Sequence, residues 1–396
     1  MYKIHPFILF ALFALSQSTE SAYTTAMPLM ASSLNVLPSQ IQSTSSIYFY
    51  GFASGIFFLG GLSDILGRKK VVFIGLSLFC LANIMIFFSR DIHHLMFLRF
   101  LQAFGASVGS VCAQAMARDS YKGLELSKLY ASLASLLAIM PSISSFIAGH
   151  ITEYYGWKGV AIYLVVVSIF LLIMCLLFLQ ETSDRSYKTP YPDYANVFAH
   201  MVFDRRVISS GLIIGIFNGI MCGLYIEAPF VFIENFGVKV STYGYILLLQ
   251  GLSAVLGGIF CRAIQEYVAD ISLIKKNGLL LSVFSCSSLF IIGFLWSNKS
   301  IASNIAMYGI IISMMMQFFS YAIIMPLILQ SALAAYSKTS GTAGSIFGAY
   351  YYSLVATMNM IVTHLHGLDI VKVTLFFLCA SIVANLSNYF SERYVS

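Results

Sequence analysis

Long apolar runs, broken at short intervals by charges and turn-forming residues, fill this chain from end to end. Cutting the pattern at those breaks predicts twelve helices, over 6–30, 43–63, 71–89, 94–117, 128–151, 158–179, 207–232, 242–263, 274–296, 301–326, 341–366 and 371–391. Each is about as long as the ~20 residues that cross the hydrocarbon of a bilayer. The longest polar stretch, Gln180 to Arg206, contains Tyr187-Lys188-Thr189-Pro190-Tyr191-Pro192 and separates two sets of six. The domains expected are therefore a six-helix bundle over 1–180, a linker over 181–206 and a second six-helix bundle over 207–396.

Composition sharpens this picture. Of 396 residues, 59% are hydrophobic and only 10% charged, with a mean hydropathy of +0.85. No soluble domain buries so much apolar surface, because core size is limited by surface-to-volume scaling. An all-α membrane protein is expected, and twelve spans leave no room for a soluble catalytic domain. The first apolar run follows Lys3 as a signal peptide's would, but it continues to Met30 without a convincing cleavage site and reads as a retained first helix. The seven cysteines fall singly in seven apolar segments without metal spacing, so they read as small hydrophobes.

The net charge of +6 is spread over the loops without a continuous patch, which argues against nucleic acid as a partner. It does orient the chain. With the amino terminus inside, Lys3, Arg68, Lys69, Lys70, Arg118, Lys122, Lys128, Arg185, Lys188, Arg205, Arg206, Arg262, Lys275, Lys276, Lys338 and Arg393 are cytoplasmic. The outer side keeps only Arg90, Lys158, Lys239, Lys299 and Lys372. This positive-inside bias fits both termini in the cytoplasm.

The turn Gly60-Gly61-Leu62-Ser63-Asp64-Ile65-Leu66-Gly67-Arg68-Lys69, set between two membrane-length helices, resembles the loop between helices 2 and 3 of major facilitator superfamily transporters. Arg99-Phe100-Leu101-Gln102-Ala103-Phe104-Gly105-Ala106 is similar to the helix 4 pattern of drug/proton antiporters, with Ala103 in place of a glycine. Ala117-Arg118-Asp119-Ser120-Tyr121, Gly156-Trp157-Lys158, Gln180-Glu181-Thr182 and Ala228-Pro229-Phe230-Val231 resemble segments of the Bcr/CflA-type multidrug efflux subfamily. The resemblance spans the chain and implies two pseudo-symmetric six-helix bundles, alternating access, a proton-coupled monomer and a bacterial inner membrane. Three departures stand out. Ile65 occupies a usually basic position after the loop aspartate, and Thr24 stands where an aspartate often precedes the helix 1 proline. Of the helix 5 antiporter motif, Ser144, Ser145, Ala148 and Gly149 retain only the last glycine.

Charges inside a bilayer cost at least about 2.5–3.5 kcal/mol on insertion scales, so embedded ionisable groups are functional candidates. Glu20 sits fourteen residues into helix 1, about 21 Å along it. Arg99 lies about a turn below the outer end of helix 4, so the two are expected to meet in the outer half of the first bundle. There a proton and a polar or cationic substrate would compete for the Glu20 carboxyl; the alternative is a static ion pair locking two helices. Glu227, about 30 Å along helix 7, reads either as a second protonation site or as an interfacial glutamate.

The resemblance implies an inner gate of Gly60, Asp64, Gly67 and Arg68, with Asp64 against the start of helix 11 at Ser340-Gly341-Thr342 and against Arg118. Topological anchoring by Arg68, Lys69 and Lys70 is the plainer reading. Substrate contacts are expected, by segment, from Gln102, Asn218, Tyr225, Gln317 and Phe318. Met314-Met315-Met316 reads mostly as packing, and His364 and His366, two apart, as interfacial residues with poor metal spacing. Gly51, Gly55 and Gly60, and Gly211, Gly215, Gly219 and Gly223, mark close-packing faces.

No Walker A, HExxH or Gly-x-Ser-x-Gly at a strand–helix turn is present, and no cofactor is expected. The leading expectation is a proton-driven exporter of amphipathic small molecules whose partners are substrate, protons and membrane lipid. A nutrient, metabolite or siderophore carrier running by symport, and a non-transporting receptor on a carrier scaffold, are the alternatives.

Overall fold

The computed structural model describes residues 4–182, 192–268, 270–332, 336, 340–366 and 370–393. Lys3, Arg185, Lys188, Lys338 and the rest of 183–191 lie outside the described residues, as do the side chains of residues 340 and 341. Every regular element among the described residues is a helix. They are α1 Pro6–Leu34, α2 Pro38–Leu66, α3 Arg68–Phe88, α4 Ile92–Ala106, α5 Val108–Ser120, α6 Gly123–Tyr155 and α7 Trp157–Phe178. After these come α8 Pro192–Phe203, α9 Arg205–Pro229 continued by a π turn over Phe230–Asn235, α10 Val240–Tyr267 and α11 Ile271–Ser297. The last three are α12 Ser303–Ala332, α13 Ser340–His366 and α14 Ile370–Arg393.

Local chemistry sets these boundaries. Asp91, Asp204 and Asp270 each accept a backbone N–H of the turn they open, from His94, Arg206 and Ser272, at 2.9 Å in all three cases. Proline opens α1, α2 and α8, where its missing N–H removes no helical bond. The fourth predicted span is in fact α4 and α5 in line. Its break falls at Ser107, whose hydroxyl donates to the Phe104 carbonyl at 2.7 Å and competes with the helical ladder. The polar linker contains one amphipathic helix, α8, whose Met201 is buried in the second bundle.

Among the described residues, nine helical segments are long and apolar enough to cross a membrane by composition alone. The other three spans, α1, α6 and α13, are dense in Ser, Thr and Gly. Their polarity follows from position, because their small and polar faces meet other helices instead of lipid. The fold is twelve transmembrane helices in two pseudo-symmetric bundles, with residues 4 and 393 at one end, here the terminus end. One hydrophobic cluster gathers α1 to α7 and takes in Ile226, Phe230, Val355 and Ala356 of the second half, and another gathers α8 to α14.

Two seams join the bundles. In the first, α2 runs against α13: Gly60 faces Ser345, the Phe52 ring lies 4.8 Å from Tyr352, and the Tyr50 and Thr357 hydroxyls are 3.0 Å apart. In the second, α6 runs against α10, where Gly251 faces Ser142 and Gly244 faces the Phe146 backbone. The second helix of each half thus meets the fifth of the other, as a two-fold pseudo-axis requires. Within the first bundle, Gly51 and Gly55 bring α2 onto the backbone of α4 at Phe100 and Phe104, where a Cβ would collide with carbonyl oxygens.

Candidate functional site

In α1 the hydroxyls of Ser16, Thr19, Ser21, Thr24 and Thr25 donate back to carbonyls of the preceding turn. This lets a polar stretch lie in a dry environment with its donors satisfied. Ser144 and Ser145 of α6 donate to the Ser18 and Ser21 carbonyls at 2.8 and 2.9 Å, clamping the two helices. Glu20 projects from this stretch and is 8% exposed. Its carboxylate accepts from the Ser45 hydroxyl of α2 and from Arg99 Nη2 of α4.

Arg99 is wholly buried. Its charge is distributed over three kinds of partner: the Glu20 carboxylate, the Gln102 Oε1 acceptor, and the faces of Tyr23 and Tyr48 at 4.5 and 4.6 Å. Gln102 in turn donates to Asn83 Oδ1 at 2.6 Å, and Asn83 donates to the Phe79 carbonyl at 2.8 Å. Gln102, expected to touch substrate, is fully buried and orients Arg99 instead. Asn83, Tyr23, Ser45 and Tyr48 join the site without being expected from the sequence. The signal they carry there is a polar or aromatic group embedded in an otherwise apolar span.

In the second bundle, Asn218 accepts from the Tyr321 hydroxyl at 3.0 Å, and Tyr225 meets Phe318 edge-on at 5.4 Å. Tyr225 also approaches Ser142 of the first bundle at 3.5 Å, so this group reaches the seam. Three expected substrate residues, Asn218, Tyr225 and Phe318, are thus brought together. Gln317 is not with them. It is fully buried against α11, accepting from Ser282 at 3.0 Å. Tyr352 of α13 packs on Phe49 and Phe52 of α2 and lies beside Gln17 of α1.

Glu227 is buried between the two bundles at the end opposite the termini. It is 7% exposed and accepts from Gln42 of α2 at 3.1 Å, with His366 Nδ1 of α13 at 2.7 Å. His366, expected as an interfacial residue, is half-buried in this cross-bundle contact. At the same end Glu153 of α6 accepts the Ser241 N–H at the start of α10, 3.0 Å away. The end opposite the termini is therefore tied shut between bundles at two places.

At the terminus end, Asp64, expected against Arg118, is paired with Arg68 one turn on. Arg68 also reaches Asp119 at 3.4 Å, and the Thr182 hydroxyl donates to that same carboxylate at 3.3 Å. Arg118 is half-buried beside Asp119 on α5. Glu181 accepts the backbone N–H groups of Arg68 and Lys69 at 2.9 and 3.2 Å, capping α3 with a carboxylate. Gly67 makes this possible: its φ is +98°, and a side chain there would strike Glu181. Gly60 lies on the α2–α13 seam against Ser345, one turn beyond Thr342.

Residues 9–359 match the model of the Major Facilitator Superfamily. An "Uncharacterized transporter" of Rickettsia bellii is 39% identical over 390 residues, covering 98% of this chain and 96% of that protein. A "Bicyclomycin resistance protein homolog" of Haemophilus influenzae is 21% identical over 91% of this chain and 89% of its own. In fold, the xylose transporter XylE from E. coli in a partially occluded inward-open conformation superposes with a TM-score of 0.75 at 12% identity, over 96% of this chain and 95% of that one. A POT family transporter in complex with a thioalcohol-conjugated peptide superposes with a TM-score of 0.77 at 12% identity, over 98% and 96%. The chain belongs to the major facilitator superfamily of transporters.

Proposed function

We propose that this transporter exports amphipathic, polar or cationic small molecules across a bacterial inner membrane in exchange for protons, with both termini in the cytoplasm. Similarity to the Haemophilus influenzae "Bicyclomycin resistance protein homolog" and to "Multidrug resistance protein MdtL" of Klebsiella pneumoniae, 24% identical over 244 residues, supports drug or metabolite efflux. The observation that carries the reading is the wholly buried Arg99 held against the nearly buried Glu20. A buried ion pair adds little net stability over well-packed apolar residues. Its value lies in the two states it gives Glu20. Ionised, the carboxyl is held by Arg99 and Ser45. Protonated, it releases part of that hold and changes what the seam offers to a substrate.

Asn218, Tyr225 and Phe318, with Tyr321 and Tyr352, supply the aromatic and amide wall that faces across the seam. In alternating access, bundles 1–180 and 207–396 rock about α2–α13 and α6–α10. The Asp64–Arg68–Asp119 cluster braces the terminus end, and Glu227–His366 and Glu153–Ser241 close the far end. The test is flux in proteoliposomes under an imposed pH gradient, screened over a chemically varied panel. Glu20→Gln should abolish proton-driven flux at normal expression. Undiminished coupling in that variant would sink the proposal.

A further inference from the structure

The far half of the α2–α13 seam holds a group of buried polar atoms that no protein group satisfies among the described residues. On α2, Gln42 and Ser46 lie one turn apart, and Ser45 beside them donates to Glu20. On α13, Asn359, Thr363 and His366 follow one another at helical spacing, continuing the line of Tyr352 and Ala356 that packs onto the first bundle. Gln42 and Asn359 are fully buried, and Ser46 and Thr363 nearly so at 2%. Gln42 Oε1, Ser46 Oγ, Thr363 Oγ1 and both polar atoms of the Asn359 amide have no partner among the described residues. Buried polar atoms are almost always hydrogen-bonded, and a cluster of them on facing helices is the setting in which ordered water is found.

The two ends of this cluster are titratable. Toward the far end, Gln42 Nε2 lies 3.1 Å from both Glu227 Oε2 and His366 Nδ1. The π turn adds Glu234, whose carboxylate acts on His366, and Phe230, whose ring lies 5.0 Å from the imidazole. Toward the middle stands Glu20, faced by Ser45 from α2 and Arg99 from α4. Ser45 lies three positions on from Gln42 along α2, about 4.5 Å of rise, a gap that one or two waters would span.

We infer that this seam is a water-bearing proton path between the Glu227–His366 pair and Glu20, open while the far end is packed shut. The Gln42 and Asn359 amides would hold water, and the Ser46 and Thr363 hydroxyls would each accept one proton as they release another. Charge therefore changes only at the two ends: a proton leaving His366 or Glu227 arrives on the Glu20 carboxylate. The inference rests on the proton role proposed for Glu20.

The test is a pH jump on the full-length protein in lipid nanodiscs, following the Glu20 carboxyl stretch by time-resolved infrared spectroscopy. Its band is assigned by its loss in Glu20→Gln. Asn359→Leu with Thr363→Val should slow protonation of Glu20 about tenfold or more, while the pH of half-protonation stays put. If Leu at 359 disturbs folding, Thr363→Val with Ser46→Ala carries the same test in near-isosteric form. A wild-type rate in the variants overturns the path and leaves the proton role of Glu20 standing. A Glu20 band that never responds to pH overturns both.

Discussion

The guanidinium of Arg99 stands over the ring of Tyr23, carbon to centroid 4.5 Å, inside a bundle where it has no contact with solvent. Removing it strands Glu20. Arg99→Ala should cost about 3–5 kcal/mol, the range for breaking a buried pair from one side. Arg99→Lys keeps the charge but loses the planar fork that reaches Glu20 and Gln102 together, so it should lose less. Thermal unfolding in detergent orders the three proteins. Equal melting of the alanine variant and wild type would show that the pair contributes nothing to holding α1 and α4.

Gly67 and Glu181 make a second prediction at the terminus end. With φ at +98° and ψ at 148°, Gly67 occupies backbone space nearly restricted to glycine. Gly67→Ala should cost about 1–3 kcal/mol through strain alone, with further loss from displacing Glu181. Glu181→Gln keeps shape and removes only the charge at the α3 terminus, worth about 0.3–1 kcal/mol. Melting temperatures should therefore fall further for the alanine variant. The reverse order would mean that the cap, not the turn, holds this corner.

These two sites also show what the sequence could reveal. Helix number and the Gly60–Lys69 turn were legible because hydrocarbon imposes a length on each span and a turn imposes a glycine. Glu20 and Arg99 were legible as a pair because embedded charges seek each other. Side-chain facing was not. Gln102 and Gln317 sit in the right helices but on inward faces, and no periodicity separates a polar residue turned toward a neighbouring helix from one turned toward the seam. Sequence spacing sets His366 beside His364, whereas its partner Glu227 lies 139 residues away. The break at Ser107 was not legible, because serine hydroxyls bond carbonyls three residues back in α1 as well without ending that helix.

Asn218 and Tyr225 offer a test of facing. Both touch groups at the seam, whereas Gln317 is tied to α11. Asn218→Leu and Tyr225→Leu should change which compounds are moved, by about 10–200-fold for one altered group in a binding pocket. Gln317→Leu should leave that ranking unchanged. Competition assays over one compound panel make the comparison, and a reordered panel for the Gln317 variant would count against the assignment.

The two far-end ties should respond to pH in different windows. Hydrogen bonds from Ser241, first from its side chain and then from its backbone N–H, hold the Glu153 carboxyl, at the exposed end of α6, below its ordinary value of 4.5. A carboxyl lowered in this way contributes its tie fully above that ordinary value and loses it as pH falls through the lowered one. His366 works in the opposite sense. Histidine changes charge between about pH 5 and 8, and on protonation its contact with Glu227 becomes an ion pair. From neutral pH downward the far end should therefore first tighten through His366 and loosen only in strong acid through Glu153. Spin labels at the exposed Tyr155 and Thr242 positions report the gap across α6 and α10. The distance should shorten or sharpen as pH falls through the histidine range and broaden only once pH has dropped below the ordinary carboxylate value. His366→Gln should remove the first change alone, and Glu153→Gln the second alone. A single variant that abolished both would mean that one group, not two, governs closure.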